Sequence, residues 1–63
     1  MIYTVNFLDK TDSICILMYF KANSVDEAYR LAEEHRRTQV ISPDDTEVWT
    51  IADDQGHTVW TAY

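Results

Sequence analysis

Apolar and polar positions alternate at the start of the chain and then give way to a continuous apolar run. Residues 2–8 alternate with the period of a half-buried β-strand. Tyr3, Val5 and Phe7 lie on one side of this strand, and Thr4 and Asn6 lie on the other. After the polar turn 9–13, residues 14–20 are apolar on both faces. We expect such a strand either to be central and covered on both sides, or to meet another chain with its outer face.

A helix is predicted from Ser24 to about Arg37. Ser24-Val-Asp-Glu27 has the pattern of a capping box, in which the Ser24 hydroxyl accepts from the Glu27 amide and the Glu27 carboxylate accepts from the Ser24 amide. Acidic residues in the first turn and basic residues in the last turn suit the helix dipole. The apolar stripe of this helix is Val25, Ala28, Leu31 and Ala32, with Tyr29 at its border.

The second half of the chain predicts a turn and then a β-hairpin. Val40 and Ile41 precede the turn signal 42–45, which contains the single proline. Residues 47–63 then form the hairpin, with one tryptophan on each arm. The predicted element order is β-β-α-β-β in a single domain, 1–63. This is an α+β fold with one helix packed on a four-stranded, mainly antiparallel sheet.

The hairpin turn determines which residues share a face. Asp53-Asp54-Gln55-Gly56 fits a type I turn, with Gly56 in the left-handed region. This register pairs Thr50 with Trp60 and directs Trp60 away from the helix. One face then holds Trp49, Ile51, Val59, Thr61 and Tyr63, and this face is expected to meet the helix. A two-residue loop is the alternative, and it places Trp49 opposite Trp60 with an aromatic pair worth about 0.5–1.5 kcal/mol.

Charge is distributed unevenly along the chain, whose net charge is −6. Residues 38–63 contain five acidic residues and no Lys or Arg, whereas residues 1–37 carry all five basic residues. Direct binding of DNA or RNA needs clustered basic side chains and is not expected. A protein partner with a basic surface fits this balance, and so does acidity that serves only solubility.

Motifs for catalysis or for cofactor binding are missing from the sequence. Cys15 lies in the apolar run and is expected to be buried, and a lone cysteine suits a reducing cytoplasm. No apolar run is long enough to span a bilayer, so we expect no membrane association. Acidic residues at 44–54 lack the spacing of a calcium loop, so we expect no metal and no cofactor. We predict a protein that is not an enzyme.

The two histidines have structural interpretations. His35 lies on the apolar side of the helix near its C-terminal end, where a half-buried imidazole is favoured by the dipole. His57 adjoins the hairpin turn and is expected to bond Asp53 across it.

A family resemblance accompanies the predicted helix. The segment Phe20-Lys-Ala-Asn-Ser-Val-Asp-Glu-Ala-Tyr-Arg-Leu-Ala-Glu-Glu34, followed by Glu47-Val-Trp49, resembles the small T7-type phage inhibitor of bacterial RNA polymerase. The resemblance covers about residues 2–52. It implies a β-β-α-β domain that inhibits a larger machine by docking on it. The family's last strand carries basic residues, and here Thr50 and Ala52 occupy those places, while the strand 58–63 is additional.

Our main functional hypothesis is a small acidic protein-interaction module, an inhibitor or regulator of a larger protein. Trp60 is its predicted anchor, and the other predicted contact residues are Thr50, Asp53, Asp54, Asp44, Asp45 and Glu47. A second hypothesis is an acidic mimic of nucleic acid that blocks a restriction or CRISPR effector. The third is a structural homodimer joined through Cys15, Leu17 and Tyr19.

Overall fold

A computed structural model describes residues 1–11, 14–39 and 43–63, with the side chains of residues 39 and 43 excepted. Its elements in chain order are β1 (Ile2–Asp9), β2 (Ile14–Lys21), α1 (Val25–Gln39), a 3₁₀ turn (Pro43–Asp45), β3 (Thr46–Ala52) and β4 (Thr58–Thr61). The predicted order and the α+β fold are confirmed. The predictions for Val40, Ile41 and Ser42, and for the second half of the turn 9–13, lie outside the described residues.

The four strands form one sheet in the order β2-β1-β3-β4, and every neighbouring pair is antiparallel. β2 and β4 are therefore the two edges, and β1 and β3 are central. The expectation that β2 could be a covered central strand is wrong. Among the described residues, none forms a second layer over that face of the sheet, so the apolar side chains of β2 that point to it remain exposed.

The core lies between α1 and one face of the sheet. Tyr3, Val5 and Phe7 are buried at alternate positions of β1, as predicted. Ala28 and Ala32 are fully buried on the helix, where their small side chains bring the helix close to the strands. Val25, Tyr29 and Leu31 pack at the border of this core, so the predicted stripe is confirmed.

The start of α1 is capped nearly as the sequence predicts. The Ser24 hydroxyl accepts from the Glu27 amide at 3.2 Å. The Glu27 carboxylate accepts from the amide of Asn23 at 3.3 Å, instead of from that of Ser24. At its other end the helix continues to Gln39, two residues beyond the prediction. Arg36 fastens this end to the sheet, because its guanidinium donates to the Thr46 carbonyl at 3.2 Å.

Two irregularities in the sheet change which residues share a face. Asn6 pairs with Thr50 whereas Phe7 pairs with Val48, so Trp49 is the extra residue of a β-bulge in β3.

A second bulge lies in β4. Ile51 pairs with Trp60 and Ala52 with Thr58, which makes Val59 an extra residue there. At each bulge the alternation of faces is interrupted, so residues beyond it lie on the opposite side from that given by simple counting.

The predicted hairpin turn is confirmed. The Gly56 amide donates to the Asp53 carbonyl at 3.1 Å, and Gly56 has a φ of 82°. The Asp53 amide donates to the His57 carbonyl at 2.9 Å, which is the first pair of the predicted register. The register holds as far as Ala52 and Thr58 and shifts at the Val59 bulge.

Candidate protein-interaction surface

The side of the sheet opposite the helix forms an uncovered surface, which we call the open face. Since Tyr3, Val5 and Phe7 point to the helix, the alternate residues of β1 and their partners in β2 point to the open face. In these two strands the open face consists of Ile2, Thr4, Asn6, Leu8, Cys15, Leu17, Tyr19 and Lys21.

The β2 part of the open face is apolar and exposed. Leu17 is 51% exposed and Tyr19 is 67% exposed, and Ile2 extends this patch on β1 at 45%. Cys15 is also exposed, so the prediction that it is buried is wrong. It is exposed because β2 is an edge strand and no described residue forms a second layer over this side of it. The three residues proposed from the sequence as a dimer face therefore do lie together on an accessible surface.

Leu8 and Ile2 also belong to this surface, although neither was predicted from the sequence as a contact residue. They lie on the same side of β1 as Thr4 and Asn6, which made that side appear polar. Strict alternation along residues 2–8 was the signal that could have placed them there.

The β3 part of the open face is polar and internally bonded. Thr50, a predicted contact residue, accepts a hydrogen bond from the Asn6 side chain at 2.9 Å. Glu47, another predicted contact residue, accepts from the Tyr63 hydroxyl and lies 3.7 Å from the Lys10 ammonium. Bonding to Glu47 raises the pKa of the Tyr63 hydroxyl, because losing the proton would put a second negative charge beside the carboxylate. Both predicted residues are thus already engaged within the chain.

Trp60 faces the helix, so the prediction that it points away from the core is wrong. It pairs with buried Ile51, and its ring lies 4.9 Å from that of Tyr29, centroid to centroid. The Val59 bulge causes the reversal, since one extra residue turns the next side chain to the other side. Val59, predicted to meet the helix, is 41% exposed instead.

Trp49 was predicted to lie on the face that meets the helix, and the structure does not place it in the core. It is half-buried at the β3 bulge. Among the described residues, the apolar cluster around the core includes Trp60 but not Trp49. The two indoles do differ in environment, as expected, but with their roles exchanged.

The predicted acidic contact residues do not form one rim. Asp44 and Asp45 precede β3, and Asp53 and Asp54 follow it. β3 lies between the two pairs, and its six steps of about 3.3 Å make it roughly 20 Å long. Such a separation gives no continuous row of carboxylates along one side of the sheet, so the nucleic-acid mimic stays a prediction from the sequence.

Asp53 has a structural task in the turn. One carboxylate oxygen accepts from the amides of both Gln55 and His57, each at 2.9 Å. The predicted bond between His57 and Asp53 therefore comes from the backbone. The His57 imidazole is 81% exposed and lies 4.0 Å from the other carboxylate oxygen. Asp53 is consequently less available to a partner than Asp54, which is exposed.

His35 is half-buried, as predicted, between Phe7 and Phe20 at ring distances of 6.1 and 5.8 Å. A groove of about 250 Å³ opens beside it between the helix and β2. The groove is lined by Phe20, Leu31, Glu34, His35 and Thr38. Within residues 1–11, 14–39 and 43–63, no three His, Cys, Asp or Glu side chains are grouped so that they could hold a metal ion.

Comparisons with known proteins give no match: no family model, no curated protein and no solved structure resembles this chain significantly. Among the described parts of the chain, no helix has the length and apolarity needed to cross a membrane.

Proposed function

We propose that this protein is a small protein-interaction module that inhibits or regulates a larger protein by docking the open face on it. The observation that supports this proposal is the exposed patch of Leu17, Tyr19 and Ile2 on the open face, over which the described parts of the chain form no second layer. Apolar side chains grouped on one surface are typical of protein contacts. Aromatic side chains such as Tyr19 are enriched at such contacts.

The partner that fits this surface has an apolar patch bordered by basic side chains. The chain has a net charge of −6, and its acidic tract, residues 38–63, supplies β3 and β4, the other half of the sheet. Lys21, which pairs with Ile2, is the charged residue beside the patch, so the basic partner is inferred from the charge of the whole chain. Complementary charge at the border would mainly increase the association rate and the specificity. We therefore expect binding to weaken as salt is added.

The contact surface in this proposal differs from the one predicted from the sequence. Trp60 is engaged with Tyr29, and Thr50 and Glu47 have partners within the chain. Leu17 and Tyr19 replace them as the central residues. Bacterial RNA polymerase is the first partner to test, because the sequence resemblance implies it.

The test compares three forms of the protein immobilised as bait. These are the wild type, the double variant Leu17→Ser/Tyr19→Ser, and the control Val59→Ser, which changes an exposed apolar residue outside the patch. Each form is incubated with purified RNA polymerase and with bacterial lysate, and retained proteins are quantified by mass spectrometry. We expect a stoichiometric partner that the wild type and the control retain and the double variant loses. Equal retention by all three forms would refute the assignment of the open face.

A further inference from the structure

No other strand in the described parts of the chain pairs with the outer edge of β2, and the hydrogen-bonding groups of this edge can be assigned. The Ala22 amide donates to the Met1 carbonyl at 3.0 Å, which makes these two residues a hydrogen-bonded pair at the end of the β1–β2 ladder. Hydrogen-bonded and non-bonded pairs alternate in an antiparallel ladder. Counting along β2 in twos, the N–H and C=O groups that point away from β1 belong to Cys15, Leu17, Tyr19 and Lys21.

We propose that two copies of this protein pair through this edge, forming one continuous antiparallel sheet of eight strands. The proposal goes beyond the function proposed above, because it concerns the edge of the sheet and a second copy of the same chain. In a two-fold arrangement Leu17 lies opposite Tyr19 of the second copy, and Cys15 lies opposite Lys21 of the second copy. Every outward-pointing backbone group of β2 then has a partner.

This pairing also matches the side chains on the helix side of the sheet. Ile16 is 44% exposed there, although it points to the same side as buried Phe7, its partner in β1. In the proposed register it lies opposite Phe20 of the second copy, an aromatic–β-branched pair of the favourable kind. Phe20 also lines the groove of about 250 Å³ together with Leu31, so the Ile16 side chain of the second copy would lie beside apolar groups of this groove.

Charge favours this edge over other self-contacts. Each copy carries a net charge of −6, so most contacts between two copies bring acidic groups together. Residues 14–25 contain no Asp or Glu, and Lys21 is their one charged residue. Contact through β2 keeps the acidic tract 38–63 away from the interface, since β4 is the opposite edge of the sheet.

The contact is small, so the dimer should be weak. A strand of eight residues is about 26 Å long, and a sheet is roughly 10 Å thick. The edge therefore contributes on the order of 260 Å² from each copy, well below the roughly 800 Å² per partner of a stable complex. Contacts of this size are typical of weak, transient association, so we expect a dissociation constant on the order of 100 μM. Added salt should strengthen the dimer by screening the repulsion between two acidic copies, opposite to its effect on the proposed basic partner.

The first experiment measures self-association by analytical ultracentrifugation from about ten times below to ten times above this value. The wild type should change from monomer to dimer. Ile16→Asp should raise the dissociation constant at least about tenfold, because it places a carboxylate in the interface, near Glu34 of the groove in the second copy. Val59→Asp is the matched control with the same change in net charge, since Val59 is 41% exposed on the other edge strand, and it should leave dimerisation intact. A monomer at every concentration would overturn the proposal, and a strand from a different protein would then be the candidate for pairing with this edge.

The second experiment tests the register by disulfide formation and does not depend on Ile16. Opposed residues of a hydrogen-bonded pair have Cα atoms about 5.5 Å apart, within the range of a disulfide. Lys21→Cys should therefore cross-link to the native Cys15 of the second copy on mild oxidation. Neither the wild type nor Lys21→Cys/Cys15→Ser should cross-link. In this register position 15 lies six positions, or about 20 Å, from position 15 of the second copy, and the same holds for position 21. Cross-linking of the wild type would instead indicate face-to-face pairing and would overturn the edge contact.

The two proposals can fail separately. Ile16 lies on the helix side and not on the open face, so Ile16→Asp should weaken the dimer at least about tenfold without reducing capture of a basic partner. Leu17→Ser/Tyr19→Ser should abolish capture and also weaken the dimer, because these two side chains lie opposite each other in the proposed register. Ile16→Asp is therefore the variant that separates the two proposals. If Ile16→Asp abolished capture as well, the partner would be binding the edge, and the open-face assignment would be wrong.

Discussion

The two edges of the sheet are built differently. β2 has eight residues, pairs with β1 without interruption and carries exposed apolar side chains on both faces. β4 has four residues, contains the Val59 bulge and turns Trp60 back toward the core. Short, bulged strands resist pairing with another chain, whereas long, regular ones invite it. The difference indicates that the β4 edge is protected and the β2 edge is available for contact.

The acidic tract belongs to the protected side of the molecule. Residues 38–63 contain five acids and no Lys or Arg, and they supply β3, β4 and the turn between them. Charges that flank an edge discourage association between copies. On the available side, residues 14–20 of β2 carry no charge at all. The charge pattern and the strand geometry therefore point to the same edge.

Removing the Trp60 side chain should destabilise the protected edge and cause the largest loss in the free energy of unfolding. Trp60 contacts Tyr29 and packs on the core, so we expect Trp60→Ala to lower the free energy of unfolding by about 2–3 kcal/mol, somewhat less than for a fully buried tryptophan. Trp49→Ala should cost less than about 1 kcal/mol, because Trp49 lies outside the core cluster. Urea denaturation of both variants provides the measurement.

Trp60→Phe serves as the control, since it retains an aromatic ring against Tyr29 and should recover part of the loss. Equal losses for Trp60→Ala and Trp49→Ala would contradict the position of Trp60. A larger loss for Trp49→Ala would restore the arrangement predicted from the sequence, in which Trp49 meets the helix.

The reversal of the two tryptophans marks the limit of prediction from this sequence. The helix, its Ser24 cap and the turn ending at Gly56 were predictable because each depends on residues close together in the chain. The bulges at Trp49 and Val59 were not, because neither position has the glycine that marks one class of bulge in a sequence. They reflect the fit of β3 and β4 to β1 and α1, which involves residues distant in sequence.

The available edge could not be predicted for a related reason. A strand with apolar residues on both faces has the same pattern whether it is central or at an edge. The order β2-β1-β3-β4 decides between these cases, and it depends on contacts between residues 2–9 and 46–52. From the sequence, β2 was expected either to be covered on both sides or to meet another chain. The strand order places β2 at an edge, and the exposure of Cys15 follows from that position.

A substitution at Gly56 should weaken the protected hairpin by an intermediate amount. Gly56 has a φ of 82°, in the left-handed region that costs an L-residue about 1–2 kcal/mol. No atom would contact an added Cβ within 4 Å, so backbone strain alone sets the cost. We expect Gly56→Ala to lower the free energy of unfolding by about 1 kcal/mol. A chemically synthesised chain with D-alanine at this position should keep the free energy of unfolding of the wild type, since D-residues favour positive φ. Equal destabilisation by both forms would show that the turn conformation is not the cause.

The smallest expected contribution to stability is that of the hydrogen bond between Tyr63 and Glu47, which links the segment after β4 to β3. The Tyr63 hydroxyl donates to the Glu47 carboxylate, and this raises its pKa above the ordinary value of 10.0. Because the folded pKa is the higher one, the contribution of the bond is complete below about pH 10 and is lost as pH rises through the folded pKa. Tyr63 is exposed, so salt should reduce the shift. NMR titration of the Tyr63 ring provides the measurement, with Glu47→Gln as the control that should bring its pKa back toward 10.0. A Tyr63 ring that titrates identically in both forms would show that Glu47 does not hold this segment, leaving the bulge and Trp60 to protect the β4 edge.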